Sequence, residues 1–162
     1  MISIINASGN YLLETVDGIL DMSKIEQGQA KLNPEPFDLD PFIKEVLTMM
    51  RNRAENSRLT LVEERSTLLP TRVFTDQVKL LQILINFIGN SVKFTESGGI
   101  TLRLKSLGQV NKSETLGQEQ PVRLQFEIID TGCGIDEDEI PFLFEKFSQT
   151  ASGRQSGQGT SY

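Results

Sequence analysis

Apolar residues recur at helical spacing in three stretches of the chain. Residues 2–26 carry them three or four positions apart, which predicts an amphipathic helix. A second helix is expected from Asp40-Pro41, an acidic cap followed by proline at the first helical position, to about Asn56. A third begins after Asp76 and runs to about Lys93. The predicted inner face of the second helix consists of Phe42, Ile43, Val46, Leu47 and Met50.

Short segments between these helices have the alternation or apolar character of strands. Strands are expected at residues 59–63, 72–75, 100–105 and 122–130. Residues 107–121 are polar and aperiodic, which predicts a loop, and Asp136 begins a short acidic helix toward Phe144. One sheet of at least four strands, with helices 41–56 and 76–93 on one face, makes an α/β two-layer sandwich.

The N-terminal helix has two interpretations. It packs on its own domain, or it is one helix of a bundle that pairs with another helix or subunit. The proline-containing linker from Leu32 to Pro36 favours the bundle. The expected organisation is therefore a partial helical domain at residues 1–30 and a second domain at residues 37–162.

Composition excludes several classes of protein. The 162 residues are 38% hydrophobic and 23% charged, with a net charge of −6 and a pI near 4.8, which argues against nucleic-acid binding. The single cysteine, Cys133, permits no internal disulfide. No apolar run approaches the roughly 20 residues that span a bilayer, and no signal-peptide pattern opens the chain. A cytoplasmic location without direct membrane contact is expected.

Two clusters of residues carry candidate chemistry. Asn86, Asn90 and Lys93 lie at positions i, i+4 and i+7 of the third helix, so they share one stripe. Carboxamide oxygens beside an ammonium suit magnesium-bound phosphates. Because Asn86 lies within an apolar run, it is expected to be partly buried and to require hydrogen-bonding partners.

The second cluster follows the last predicted strand. Asp130 ends an apolar run, and Gly132 and Gly134 after it allow backbone to approach a ligand closely. A carboxylate beside a Gly-x-Gly turn suits the edge of a nucleotide base or ribose. The two clusters together predict an ATP site.

These residues resemble the catalytic ATP-binding domain of sensor histidine kinases, in the ATPase superfamily shared with gyrase and MutL. The matching segments are residues 86–95 (the N box), 130–135 (the first glycine box), 144–147 (the F box) and 157–160 (the opening of the second glycine box). Upstream, residues 8–28 resemble the second helix of the dimerisation and histidine-phosphotransfer domain. Residues 36–39 are typical of the junction in hybrid kinases.

The resemblance implies roles for particular residues of the N box and first glycine box. It implies that Asn90 binds magnesium, that Asn86 supports the metal or phosphate, and that Asp130 accepts a hydrogen bond from the adenine amino group. Lys93 either neutralises phosphate charge or is an ordinary solvated lysine, and Phe94 either stacks on adenine or closes the core. Gly132 and Gly134 leave room beside the base and let Ile135 turn inward, while Cys133 serves as a small apolar residue.

The resemblance also implies a mixed sheet with the nucleotide between the helical layer and a lid at residues 147–162. Phe144 and Phe147 anchor that lid and dock the phosphotransfer helices. The residues of the second glycine box that contribute to the phosphate site are Gly157, Gly159 and Thr160.

The implied activity is that of a two-component phosphorelay enzyme, which moves the γ-phosphoryl group of ATP to a histidine and onward to a response-regulator aspartate. Hydrolysing relatives carry a glutamate where this chain has Asn86, so a third possibility, another ATPase of the superfamily, is disfavoured. The chain has no histidine, and it is expected to be a fragment of a longer kinase. Its implied partners are a second copy, paired through the N-terminal helix, and a receiver domain. The alternative is a non-catalytic nucleotide-binding or dimerisation fragment.

Overall fold

The computed structural model of the protein describes residues 31–66, 68–107 and 122–142. Residues 33–134 form one compact unit, and residues 135–142 belong to a separate unit. Three predicted features lie outside the described residues: the helix at 2–26, nearly all of the loop at 107–121, and the lid at 147–162.

Two helices and five strands make up the larger unit. In chain order they are β1 (Glu35–Asp38), α1 (Leu39–Asn56), β2 (Thr60–Arg65), β3 (Arg72–Thr75), α2 (Gln77–Phe94), β4 (Gly99–Leu107) and β5 (Arg123–Asp130). The two predicted helices and four predicted strands of this region are all present. An additional strand, β1, was not predicted from the sequence.

The described strands form two sheets rather than the single sheet that was expected. Strand β4 pairs with β2 in parallel and with β5 in antiparallel orientation, and β3 pairs instead with β1. Strand β1 was overlooked because Pro36 lies within it, and a proline in a sequence argues against a strand. An edge strand can nevertheless contain proline. Phe37, beside that proline, is buried in the core.

Helix α1 begins at Leu39, two residues earlier than predicted, with Asp38 as its N-cap. Pro41 lies in the first turn, where backbone N–H groups have no partner within the helix, so proline costs no hydrogen bond there. Asp40 is not the cap. Its carboxylate instead pairs with Lys44 at 2.7 Å and with Arg65, and these hydrogen bonds hold the pKa of Asp40 below its usual value.

The core lies between the helices and one face of the three-stranded sheet. The predicted inner face of α1 is buried throughout, and so are Ile100, Leu102 and Leu104 of β4. The alternate residues of β4 lie on the opposite face, where Arg103 pairs with Glu64 at 2.6 Å and with Glu127 at 3.2 Å. One face of this sheet is therefore apolar and covered, and the other carries ion pairs.

Asp76 fixes the start of α2. Its Oδ1 accepts a hydrogen bond from the Lys79 backbone N–H at 3.0 Å, and its Oδ2 accepts one from the Asn33 N–H at 2.9 Å. These two bonds hold the pKa of Asp76 below its usual value, because both favour the ionised carboxylate. The predicted cap is confirmed, and it also ties the segment before β1 to α2.

The acidic helix predicted after Asp136 is absent from residues 136–142. These residues form a turn, with the Glu139 N–H donating to the Asp136 carbonyl at 2.9 Å, and a 3₁₀ turn at Ile140–Phe142. Pro141 accounts for the difference, because it lacks the N–H group that would continue an α-helix.

Neither α1 nor α2 combines the length and apolar character that a membrane-crossing helix needs, and the described residues contain no other candidate.

Replacing Asp76 with asparagine should lower the thermal unfolding midpoint by on the order of 5 °C at neutral pH, because a carboxamide has one acceptor oxygen and cannot accept both the Lys79 and the Asn33 hydrogen bonds. The folded-state pKa is lowered, so the stabilisation is present above the unfolded pKa of about 3.9 and is lost as pH falls through the folded value. The difference in thermal unfolding midpoint between the wild type and Asp76→Asn should therefore disappear at low pH.

The matched control is Asp38→Asn, because Asp38 is the N-cap of α1 but makes no side-chain capping hydrogen bond. Thermal unfolding followed by circular dichroism measures both variants. An equal loss of stability in the two would contradict the assignment of Asp76.

Candidate functional site

The C-terminal end of α2 and the end of β5 meet at the Asp130 carboxylate. The Ser91 hydroxyl on α2 donates to Asp130 Oδ2 at 2.9 Å, and the Gly132 N–H donates to Oδ1 at 3.0 Å. Each oxygen of this exposed carboxylate therefore accepts one hydrogen bond, Oδ2 from α2 and Oδ1 from the turn after β5. The two sequence clusters that predicted a nucleotide site are thus adjacent in the fold.

Gly132 packs directly against the end of α2. A Cβ atom at this position would lie 2.7 Å from the Phe94 carbonyl oxygen and 2.9 Å from Asp130 Oδ1. Such distances are below normal contact, so any larger residue would displace the turn. The close approach at Gly132 is to the helix end and the carboxylate, and the approach of this backbone to a ligand stays a prediction.

Gly134 has a different role. Its φ of 72° lies in the left-handed region, while a Cβ there would have no heavy atom of the described residues within 4 Å. Glycine is favoured at this position by conformation and not by packing.

Thr131 anchors the same turn on its other side. Its N–H donates to the Gly99 carbonyl at 3.2 Å, and its hydroxyl donates to the Ser97 carbonyl at 2.9 Å and accepts from the Gly99 N–H at 3.1 Å. These bonds join the residue after Asp130 to the connection between α2 and β4. The turn that follows Asp130 is therefore fixed by the hydrogen bonds of Thr131 to Ser97 and Gly99.

The predicted stripe on α2 is divided between exposed and half-buried residues. Asn86 and Asn90 are exposed, whereas Lys93 and Phe94 are half-buried, with the Lys93 ammonium 5.1 Å from the centroid of the Phe94 ring. The exposed amides are available to a ligand.

The expectation that Asn86 is partly buried was wrong. Only Leu84 and Ile88 are fully buried between residues 80 and 88, and the neighbouring Ile83 and Phe87 are each 51% exposed. An apolar run of helical length has an outward side as well as an inward one, and Asn86 lies on the outward side. Its candidacy therefore depends on its position beside Asn90 and not on burial.

Thr95, the C-cap of α2, is a polar residue whose burial the sequence did not indicate. It is only 5% exposed, and its hydroxyl has no hydrogen-bond partner among the described residues. The hydroxyl oxygen would lie 3.2 Å from a Cβ on Gly132, so it faces the same turn as Asp130. Buried polar groups without partners are rare and call for an explanation.

Several predicted residues are not part of this junction. Ile135 was expected to turn inward but is 48% exposed. Cys133 is exposed as well. The remaining predicted site residues lie outside the described part of the chain, and they are Phe147, Gly157, Gly159 and Thr160.

The residues that sequence reasoning missed are Ser91 and Thr131. Ser91 directly follows Asn90, so it points about 100° further round the helix, and its position between the buried Ile88 and Val92 could have marked it as facing inward.

The described residues contain no group of three or more histidine, cysteine, aspartate or glutamate side chains able to hold a metal. The neutral oxygens of Asn86 and Asn90 suit a magnesium ion only if its other ligands come from elsewhere, and phosphate groups are the usual source.

Comparison with known proteins gives a consistent picture. The profile of the family described as "Histidine kinase-, DNA gyrase B-, and HSP90-like ATPase" matches residues 75–162. LuxQ of Vibrio parahaemolyticus, an autoinducer 2 sensor kinase/phosphatase, is 36% identical over 161 residues, which cover 98% of this chain and 18% of LuxQ. BarA of Escherichia coli, a signal transduction histidine-protein kinase, is 32% identical over 98% of this chain and 17% of its own length. The chain thus spans less than a fifth of these relatives.

Solved structures agree in fold. The crystal structure of full-length ShkA in complex with AMPPNP has a TM-score of 0.72 and 31% identity, covering 91% of this chain and 29% of ShkA. Histidine kinase ThkA, solved in complex with response regulator TrrA, has a TM-score of 0.55 at 20% identity, over 86% of this chain and 38% of its own. At that identity the likeness to ThkA concerns the fold alone.

The packing around Gly132 generates a prediction. Gly132→Ala should lower the free energy of unfolding by about 1–3 kcal/mol, because the new methyl group would overlap the Phe94 carbonyl oxygen. The measurement is denaturant unfolding at equilibrium.

Gly89→Ala is the control within α2 itself. Its nearest non-local atom would lie 3.5 Å away, an ordinary contact, so alanine should be neutral or stabilising by about 0.5–1 kcal/mol. If Gly132→Ala were as stable as Gly89→Ala, the close approach of the turn to α2 would be contradicted.

Proposed function

Because this chain belongs to the family of histidine kinase-, DNA gyrase B- and HSP90-like ATPases, we propose that it binds the ATP whose phosphoryl group is transferred to a histidine in its whole protein. Within that family it is the ATP-binding catalytic domain of a two-component sensor histidine kinase. In the proposed reaction the γ-phosphoryl group of ATP passes to a histidine, and then to an aspartate of a response regulator.

One observation carries the proposed nucleotide site. The Asp130 carboxylate is held beside the end of α2 by Ser91, which directly follows Asn90. Asp130, which would recognise the base, and the phosphate-binding stripe of α2 lie on adjacent surfaces, as the two ends of one nucleotide require. Asp130 would accept a hydrogen bond from the adenine amino group, and guanine, which presents a carbonyl oxygen at that position, would be disfavoured.

The phosphate end of the proposed site is the outward stripe of α2. Magnesium would be held by the Asn90 amide oxygen, with Asn86 in support and the triphosphate as its anionic ligand. The ion, when bound, neutralises charge on the phosphates. The Lys93 ammonium would add a second positive charge, and Phe94 would provide an apolar surface for the adenine ring.

The remaining contacts of the proposed site come from residues beyond the described part of the chain. Phe147 would anchor a lid, and backbone amides of the second glycine box, at Gly157, Gly159 and Thr160, would bind phosphate oxygens. Positioning and charge stabilisation account for most of phosphoryl-transfer catalysis, so this segment would affect the transfer rate more than the affinity.

The chain contains no histidine, so the phosphoryl acceptor must lie elsewhere in the whole protein or in a second copy of it. We propose that residues 1–30 contribute the second helix of a dimerising phosphotransfer bundle, preceding a catalytic domain at residues 37–162. A receiver domain would then take the phosphoryl group from that histidine. This arrangement would work on the cytoplasmic side of any membrane anchor that the whole protein has.

The metal assignment predicts that Asn90→Ala weakens magnesium-dependent ATP binding about tenfold, because an oxygen ligand is removed. A titration with a fluorescent ATP analogue, with and without magnesium, measures the change. Asn52→Ala is the matched control, since Asn52 is an exposed asparagine on α1. An affinity that falls equally in both variants, or in neither, would contradict the role of Asn90.

The transfer reaction is tested by supplying the missing acceptor. The chain is incubated with magnesium, γ-labelled ATP and a separate phosphotransfer domain that carries its histidine. Acid-labile label should appear on that domain, be absent when the acceptor histidine is replaced, and form more slowly at limiting ATP when the chain carries Asn90→Ala.

Two outcomes would count against the proposal. ATP binding without any transfer would favour a non-catalytic nucleotide-binding fragment. Label retained on the chain itself would exclude the proposed route, because no residue of the chain is a histidine.

A further inference from the structure

We propose that Ser91 is a positioning residue that sets the orientation of the Asp130 carboxylate and thereby the preference for a purine with a 6-amino group. The inference rests on the proposed function, in which Asp130 reads the base. Nothing in the N-box or glycine-box resemblance assigns a role to Ser91.

The geometry around Asp130 supports this role. An aspartate side chain has two rotatable bonds, and its exposed carboxylate at the end of β5 would otherwise sample several orientations. The Gly132 N–H holds Oδ1 at 3.0 Å, and the Ser91 hydroxyl holds Oδ2 at 2.9 Å. Two separate contacts on different oxygens therefore fix both rotations.

Ser91 is buried, whereas Asp130 itself remains reachable. Ser91 is only 7% exposed, while Asp130 is exposed. Each carboxylate oxygen can accept more than one hydrogen bond, so both retain acceptor capacity for a ligand. The two hydrogen bonds therefore orient the carboxylate and still leave it able to accept a hydrogen bond from a nucleotide base.

Ser91 also connects the two ends of the proposed site. Adjacent helical residues point about 100° apart, so Asn90 faces outward while Ser91 faces β5. Any displacement of the last turns of α2 moves both side chains together. The residue that orients Asp130 and the proposed metal ligand therefore lie on one helix.

The test compares ATP with the triphosphate of purine riboside, which lacks the 6-amino group. Ser91→Ala should weaken ATP binding about fivefold, the loss expected for one hydrogen bond, and leave the purine riboside triphosphate unaffected. Ser91→Thr, which keeps a hydroxyl, should restore the preference for ATP. Thr48→Ala, which removes a hydroxyl bonded to the Lys44 carbonyl on α1, is the control and should change neither affinity.

A double-mutant cycle with Asp130→Ala distinguishes the possible failures. If Ser91 acts through Asp130, Ser91→Ala should cost no further affinity for ATP once Asp130 is absent. Equal weakening of both nucleotides by Ser91→Ala would overturn the positioning role in favour of a general structural one. If Asp130→Ala reduces the preference for ATP while Ser91→Ala does not, only the inference about Ser91 fails.

If Asp130→Ala leaves the preference unchanged, the proposed base reading itself fails. Thermal unfolding of each variant separates a binding loss from a folding loss. Should Ser91→Thr not fold, Ser91→Cys, which keeps the size and a weak donor, replaces it, and a preference for ATP no greater than that of Ser91→Ala would overturn the inference.

Discussion

The hydrogen-bonded junction between the end of α2 and the end of β5 is the constraint on which the rest of the site depends. Ser91 reaches across to Asp130, and the turn that follows lies so close to the helix end that only glycine fits at position 132. The two elements are 39 residues apart in sequence at this contact. Without it, the outward stripe of α2 and the carboxylate of β5 would be two unrelated surfaces.

The hydrophobic core makes that junction possible by fixing α2 against the sheet. Leu84, Ile88 and Val92 are buried on one side of the helix, and Ile100 and Leu102 of β4 are buried opposite. The same periodicity that buries these residues turns Asn86 and Asn90 outward. One helix therefore serves the core with one face and offers amide oxygens with another.

The sequence predicted α2 well because three local signals agree there, namely a capping aspartate, a 3.6-residue apolar period and a change of character after Phe94. Strand β1 was missed because Pro36 makes its segment look like a linker. The strand that pairs with it, β3, also lies far along the chain. The burial of Asn86 was misjudged because composition alone does not give the rotation of a helix. The apolar period could have shown that Ser91 faces inward, but its contact with Asp130 is a tertiary one that no local pattern contains.

The most direct measurement of the central claim is a two-dimensional NMR titration of the chain with a non-hydrolysable ATP analogue and magnesium. A nucleotide at the junction should produce the largest amide shifts at residues 90–95 and 130–134. The amides of Arg103 and Glu127, which pair on the opposite face of the sheet, should be unchanged. Shifts centred on that opposite face, with the junction unperturbed, would contradict the proposed site.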